Sequence, residues 1–540
     1  MYLLLLIGLL IRLVIALYLH PGFDEAYYYL YTLHPSLSYF DHPPLVALTT
    51  GFGVWLTGTV SQFTIRIGSL FLYTGASVFL YLTGLRLFSR PVATLTLAIA
   101  TIVPIFQVGF GVLTLPDSAL MLFWSASLYV CACEFFARPF LPNVWLEQYR
   151  AQDLSFTKDE ILYQPTYRLA VIGLLVGLAC LGKYHGFVLG LSLVGFCLFN
   201  RSYRAALTSP WMATGVGLFL AALAPVLVWN AQHDWVSFVY QSSRAVPSQG
   251  YQWGQAIATA LLTIAYLFPT IGLPMWGAIG HSTGTLIAEA VTGKAEQPLA
   301  NTLFRAKLSF LLWVSLPLIL GFTYIGGYQA ILPTWQMPGF WGATILLAYY
   351  AASWRQSMPR LVRRWLLGSA VAIVLLLAVA LLHVSFGILQ KPGGWLGGVI
   401  PVETDGSTQT IDIQQLRQGF QQPQLRQALQ TSNFVFTNQI FIAGQVAMAI
   451  APFSPLPITC FSDDLRGFAF WSAATDWVGK DALYVTSARF EQEISADFAD
   501  YFQSIESIAE LPIRRAGVTV ETFKVFRATE LLKPYPRPYG

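Results

Sequence analysis

Apolar runs long enough to cross a hydrocarbon core of about 30 Å recur along the first 387 residues, near 2–19, 63–88, 91–112, 118–137, 168–182, 186–200, 211–229, 254–280, 308–326, 337–353 and 365–387. The pattern predicts a polytopic α-helical membrane protein of about eleven to thirteen spans, with the short pair at 168–200 reading as broken helices. After about residue 388 the pattern changes. Amphipathic stretches at 411–430 and 439–450 alternate with short β-rich runs such as Phe434 to Phe436, Ala482 to Thr486 and Val518 to Phe526. This predicts a membrane domain over 1–387 and a C-terminal extracytoplasmic α/β domain over 388–540.

Charge orients the spans. Arg86 and Arg90 share one loop, Arg138, Arg150, Lys158 and Arg168 the next but one, then Arg201 and Arg204, then Lys294, Arg305 and Lys307, then Arg355, Arg360, Arg363 and Arg364. Every second loop is basic, and the intervening ones hold chiefly Arg66, Lys183 and Arg244. The positive-inside rule then places the N-terminus in the cytoplasm, the 20–62 loop outside and the C-terminal domain outside.

Composition agrees with lipid as the solvent: 55% of the 540 residues are hydrophobic and 11% charged, against roughly 25% charged in soluble domains. Mean hydropathy is +0.56. Nothing in the balance points to nucleic acid. Four of the five cysteines fall within apolar runs, so no disulfide framework is legible. The run from Tyr2 to Leu19 contains Arg12 and precedes no small-residue cleavage site, and it reads as a retained first span.

The densest chemistry follows that span. Residues 23–45 read FDEAYYYLYTLHPSLSYFDHPPL, with two acidic sites, two histidines, a tyrosine run and Pro43-Pro44. Carboxylates at a membrane face could deprotonate a hydroxyl, hold a divalent metal or position a sugar, or the stretch is a solvated interfacial loop. Asp41, His42 and His233 could assemble a divalent-metal site across two loops; otherwise no cofactor is expected. Tyr27, Tyr28, Tyr29, Tyr31, Tyr39, Trp229, Trp235, Trp253 and Trp335 suit an aromatic belt.

Asp24-Glu25 followed by aromatics, then Tyr39-Phe40-Asp41-His42-Pro43-Pro44-Leu45, resembles the bacterial GT-C membrane glycosyltransferases, the superfamily of protein O-mannosyltransferases and lipid A aminoarabinose transferases. Leu115-Pro116-Asp117-Ser118, Gly182-Lys183-Tyr184-His185, Trp229 to Trp235 and Pro333-Thr334-Trp335 extend the likeness. The resemblance implies a polyprenyl-phosphate sugar donor, a lipid, glycan or protein acceptor, and transfer of one sugar with inversion at the outer face. It also implies Asp24 as base toward the acceptor hydroxyl, and Asp117 as a second acidic site whose other reading is a helix N-cap. Glu25 would orient a neighbour or a metal.

A lipid phosphate needs cations on that side. Lys183 and Arg244 are the candidates, Lys183 being otherwise a snorkelling lysine; Arg66 reads as an interfacial anchor. His42 departs from the lysine of the aminoarabinose transferases, which leaves its phosphate role open. Among the aromatics, Tyr28 and Trp335 are the expected substrate contacts. Ser462-Asp463-Asp464-Leu465-Arg466 reads as a turn. The rival functions are a transporter or lipid-linked-sugar flippase, which would want ionisable residues in mid-span, and an oligosaccharide ligase.

Overall fold

The protein is described from a computed structural model over residues 1–136, 163–243, 250–292, 299–390, 397–491 and 498–537. Its first helix, α1 (Tyr2–Tyr18), meets α2 (Phe23–Leu33) at 86°. Pro21 and Gly22 force the break, since the residue before a proline is pushed out of the helical region. Then come α3 (Leu45–Thr57), α4 (Ile67–Leu87), α5 (Arg90–Ile102) and α6 (Pro116–Phe135). The 20–62 stretch, expected as a loop, is therefore largely helical. Further along lie α7 (Arg168–Gly182), α8 (Gly186–Phe199), α9 (Pro210–Gln232), α10 (Val236–Ser243), α11 (Trp253–Tyr266), α12 (Pro269–Thr292), α13 (Leu299–Trp313), α14 (Leu316–Ile325), α15 (Met337–Ser357) and α16 (Pro359–Phe386).

Among the described residues, five helices are long and apolar enough to cross a membrane, or seven if each of two bent pairs counts as one span. The chain is a multi-pass membrane protein. Breaks explain why several expected crossings fall on shorter helices. The 91–112 run stops at Ile102, ahead of Pro104, and resumes as a π-helical turn at Phe106–Phe110. The 168–200 run is cut at residues 183–185 into helices of 15 and 14 residues, in line with its short apolar segments. The 254–280 run bends by 118° at Phe268, which takes φ +68° before Pro269. Helix α15 is buried from Met337 to Ala348 and forms the centre of the bundle, whereas only 11% of the apolar window of α16 is covered, so α16 lies on the outside.

The C-terminal unit carries α17 (Ile413–Phe420), α18 (Pro423–Thr431), β1 (Phe434–Thr437), α19 (Ile440–Ile450), β2 (Ile458–Cys460), α20 (Phe468–Trp471), β3 (Ala482–Ser487), β4 (Phe502–Arg515) and β5 (Val518–Leu531). Its sheet has the order β2-β1-β3-β5-β4, parallel on both sides of β1 and antiparallel from β3 outward. Phe436 anchors one face, stacked on Tyr484 and Phe502 at 4.8 and 5.1 Å. The 411–430 stretch is divided by Pro423, which starts α18.

Residues 439–450 differ from the amphipathic expectation. Helix α19 is buried at every residue but the half-buried Phe441, because it packs against the sheet on one side and α2 on the other. The contact with α2 depends on Gly444, where an added Cβ would stand 2.3 Å from the backbone oxygen of Ala26. Gly444→Val is expected to lower stability by about 1–3 kcal/mol, the range for overpacking. Thermal unfolding in detergent checks this, and an unchanged transition would contradict the close α2–α19 docking.

Candidate active site

Two buried ion pairs hold the elements around α2. Glu25, in the first turn of α2, receives Arg66 Nε on Oε1 at 2.8 Å and Arg66 Nη2 on Oε2 at 2.6 Å. Its Oε1 also accepts the Thr114 backbone N–H at 3.1 Å, and its Oε2 that of Gly22 at 3.2 Å. Arg66 donates further to the carbonyls of Ala16, Leu19 and His20. The cluster thus ties the end of α1, the start of α2, the start of α4 and the lead into α6. Both expectations for these residues change: Arg66 is a buried partner rather than an interfacial anchor, and Glu25 has no free oxygen for a reaction or a metal. Glu25→Gln would strand a buried guanidinium, and breaking such a pair costs about 3–5 kcal/mol. A marked drop in thermal stability is expected, and wild-type melting would contradict the assignment.

The second pair is Asp117 with Lys183, whose Nζ lies 2.9 Å from both carboxylate oxygens. Gly182 makes it possible: α7 ends so close to α6 that a Cβ at Gly182 would meet the Leu120 nitrogen at 2.5 Å. The next residue, Lys183, then reaches the first turn of α6. Asp117 does not cap its helix, since the cap position is Leu115 and the carboxylate is engaged by Lys183. Lys183 is buried rather than snorkelling.

Asp41 is also buried. It accepts the Tyr31 hydroxyl on one oxygen and Arg466 Nη1 at 3.3 Å on the other. Gln241 donates to its backbone carbonyl at 2.6 Å. Arg466 comes from the predicted turn at Ser462–Arg466, takes φ +41° there, and lies over Phe441, Tyr27 and Tyr240 at 5.6 to 6.0 Å. Gly467 N–H donates to the Tyr27 hydroxyl at 3.2 Å. The turn itself was legible, but its cation enters the site from 425 positions away, and no spacing in the sequence signals that.

Asp24 differs from its neighbours. Its side chain keeps accessible surface, and among the described residues no hydrogen bond reaches its carboxylate. Yet protein surrounds it, and that enclosure, with the charges of Asp41 and Glu25, raises its carboxyl above the ordinary range against the opposing pull of Arg466 and Lys183. Asp24 is thus walled by protein yet still open to solvent. On the same side, His42 packs edge-on to Tyr28 at 5.4 Å and lies within electrostatic reach of His185. The His185 ring stacks on Phe322 at 4.8 Å and lies 6.4 Å from Trp335. Tyr28, His42, Lys183 and Trp335 thus belong to one neighbourhood, whereas Arg244 lies outside the described residues.

The expected Asp41–His233 metal pairing is not assembled. His233 turns Nδ1 to the Trp229 carbonyl at 2.7 Å and stacks on the Trp229 ring. A divalent ion would have to displace Arg466 and Tyr31 from Asp41. Among the described residues, no three His, Cys, Asp or Glu side chains converge on one point.

The family described as dolichyl-phosphate-mannose-protein mannosyltransferase matches residues 41–135 and 161–229. The crystal structure of ArnT from Cupriavidus metallidurans in the apo state matches over 97% of this chain and 97% of its own, at a TM-score of 0.57 and 14% identity. The structure of the same protein bound to undecaprenyl phosphate matches over the same shares, at 0.57 and 12%. The chain has a GT-C fold like that of ArnT. No curated protein sequence matches it. At such low identity the ArnT likeness speaks for the GT-C fold, not for residue roles. The matched segments contain Asp41, His42, Asp117 and Lys183, while Asp24 lies ahead of them.

Proposed function

We propose that this GT-C protein moves a single sugar from a polyprenyl-phosphate donor to a lipid, glycan or protein acceptor at the outer face of a bacterial inner membrane, with inversion at the anomeric carbon. The carrying observation is Asp24: an accessible, unbonded carboxylate, enclosed by protein and raised in pKa, in electrostatic reach of Arg466 and Lys183. In the proposed step the acceptor oxygen bonds to the anomeric carbon while the bond from that carbon to the phosphate oxygen breaks. The hydroxyl proton passes to Asp24, and the electron pair leaves with the polyprenyl phosphate.

Each neighbour has a task in this reading. Lys183, oriented by Asp117, and His42 compensate the charge that grows on the leaving phosphate. Tyr28 and Trp335 pack against the donor. Arg466 fixes Asp41, and through it the wall beside Asp24. Residues 1–387 would form the transferase domain and 388–540 an extracytoplasmic unit closing the site. The step balances without a metal, and Asp41 is held by Tyr31 and Arg466. The undecaprenyl phosphate recorded in the ArnT structure supports a lipid phosphate as the leaving group.

The test is release of polyprenyl phosphate by the full chain in nanodiscs, given polyprenyl-phosphate hexose, pentose and amino-sugar donors with envelope extract as acceptor. Turnover of at least one donor is expected. Inertness toward all of them, in a preparation that binds polyprenyl phosphate, would overturn the reading.

A further inference from the structure

A cavity of about 700 Å³ opens between the stretch that follows α2, the end of α9 and the α20 turn of the C-terminal unit. Two flat aromatic pairs stand in its wall. His34 stacks on Trp471 with centroids 4.5 Å apart and planes 6° from parallel, and His233 stacks on Trp229 at 4.1 Å and 13°. Phe470 packs edge-on to the second pair, at 5.7 Å from Trp229 and 5.3 Å from His233. The cavity exists only because the two ends of the sequence meet there.

Its chemistry is neutral. Burial lowers His34 below the usual imidazole range, which keeps the ring uncharged near neutral pH. No Asp, Glu, Lys or Arg is among the described lining residues. Ser38, also in the lining, is fully buried beside the Tyr184 hydroxyl. Gln232 adds an amide to the lining.

We propose that this cavity binds a neutral saccharide of the acceptor, a step that rests on the transferase reading. A pyranose ring offers weakly positive C–H faces to the negative faces of aromatic rings and a rim of hydroxyls to the Gln232 amide. The volume suits one or two sugar rings, falling within the roughly 300–1,000 Å³ of small-molecule sites. Phosphate or a charged headgroup would find no counter-charge on these walls. The wall is also joined to the reaction centre: Gly467 lines the cavity, and its neighbour Arg466 holds Asp41 and acts on Asp24.

The test is saturation-transfer NMR on the full chain in nanodiscs, titrated with maltose, mannobiose and chitobiose and, separately, with a threonine-containing peptide. Saturable binding of at least one disaccharide is expected. Trp471→Ala should weaken it about tenfold, the loss of one aromatic platform, Trp471→Phe should largely restore it, and polyprenyl-phosphate affinity should hold in both. Saturation by no disaccharide, equal affinity in Trp471→Ala, or binding of the peptide alone would overturn the proposal. Because binding is read without donor, its failure is separate from failure of the transfer assay.

Discussion

Asp24→Asn is expected to reduce kcat for sugar transfer by about 10²–10⁴-fold, the usual contribution of a positioned general base. Polyprenyl-phosphate affinity and thermal stability should stay near wild type. The amide is isosteric, and the carboxylate it replaces makes no hydrogen bond among the described residues, so no fold-holding contact is lost. The pH dependence supplies an independent reading. The base works only when deprotonated, and enclosure raises its pKa, so the wild-type rate should fall with acidification from a pH above the ordinary carboxylate range. That acid limb should be missing from the residual activity of the variant. A variant with full kcat, or with the wild-type limb intact, would assign the proton to another group.

Lys183→Met is expected to have the second-largest effect, and it acts on two quantities. Activity should fall by about 10²-fold or more, the scale for losing one donor that stabilises developing charge, and polyprenyl-phosphate affinity should fall with it. Stability should also drop by about 3–5 kcal/mol, because Asp117 is left buried without its partner. The double variant Asp117→Asn with Lys183→Met separates the two effects. Removing both charges should recover much of the stability, while transfer stays low because the phosphate still lacks its cation. Recovery of transfer along with stability would reduce the pair to a structural clamp.

How much of this was legible depends on where the information sits in the chain. The GT-C fold and the 23–45 stretch were readable because hydropathy runs and contiguous motifs are local. The short apolar runs at 168–182 and 186–200 also placed the break at residues 183–185, where the structure has it. The partner of Glu25 was not readable: Arg66 lies 41 positions on, and an arginine at the start of a span looks interfacial until the bend after α1 folds α2 over it. Arg466 reads from the sequence only as part of a turn, since nothing in that turn announces that the C-terminal unit docks on α2. Helix α19 misled for the same reason. A segment covered on one side by a sheet and on the other by a helix from the opposite end of the chain carries no solvent face to reveal its period.

The most direct test of the central claim, a direct displacement assisted by the single base Asp24, is the anomeric configuration of the product. NMR coupling constants of the new glycosidic bond, compared with those of the polyprenyl-phosphate donor, read it without reference to rates. Inversion is expected, because one in-line displacement must exchange the faces of the anomeric carbon. Retention would contradict the account, since it demands a second displacement through a covalent glycosyl–protein intermediate.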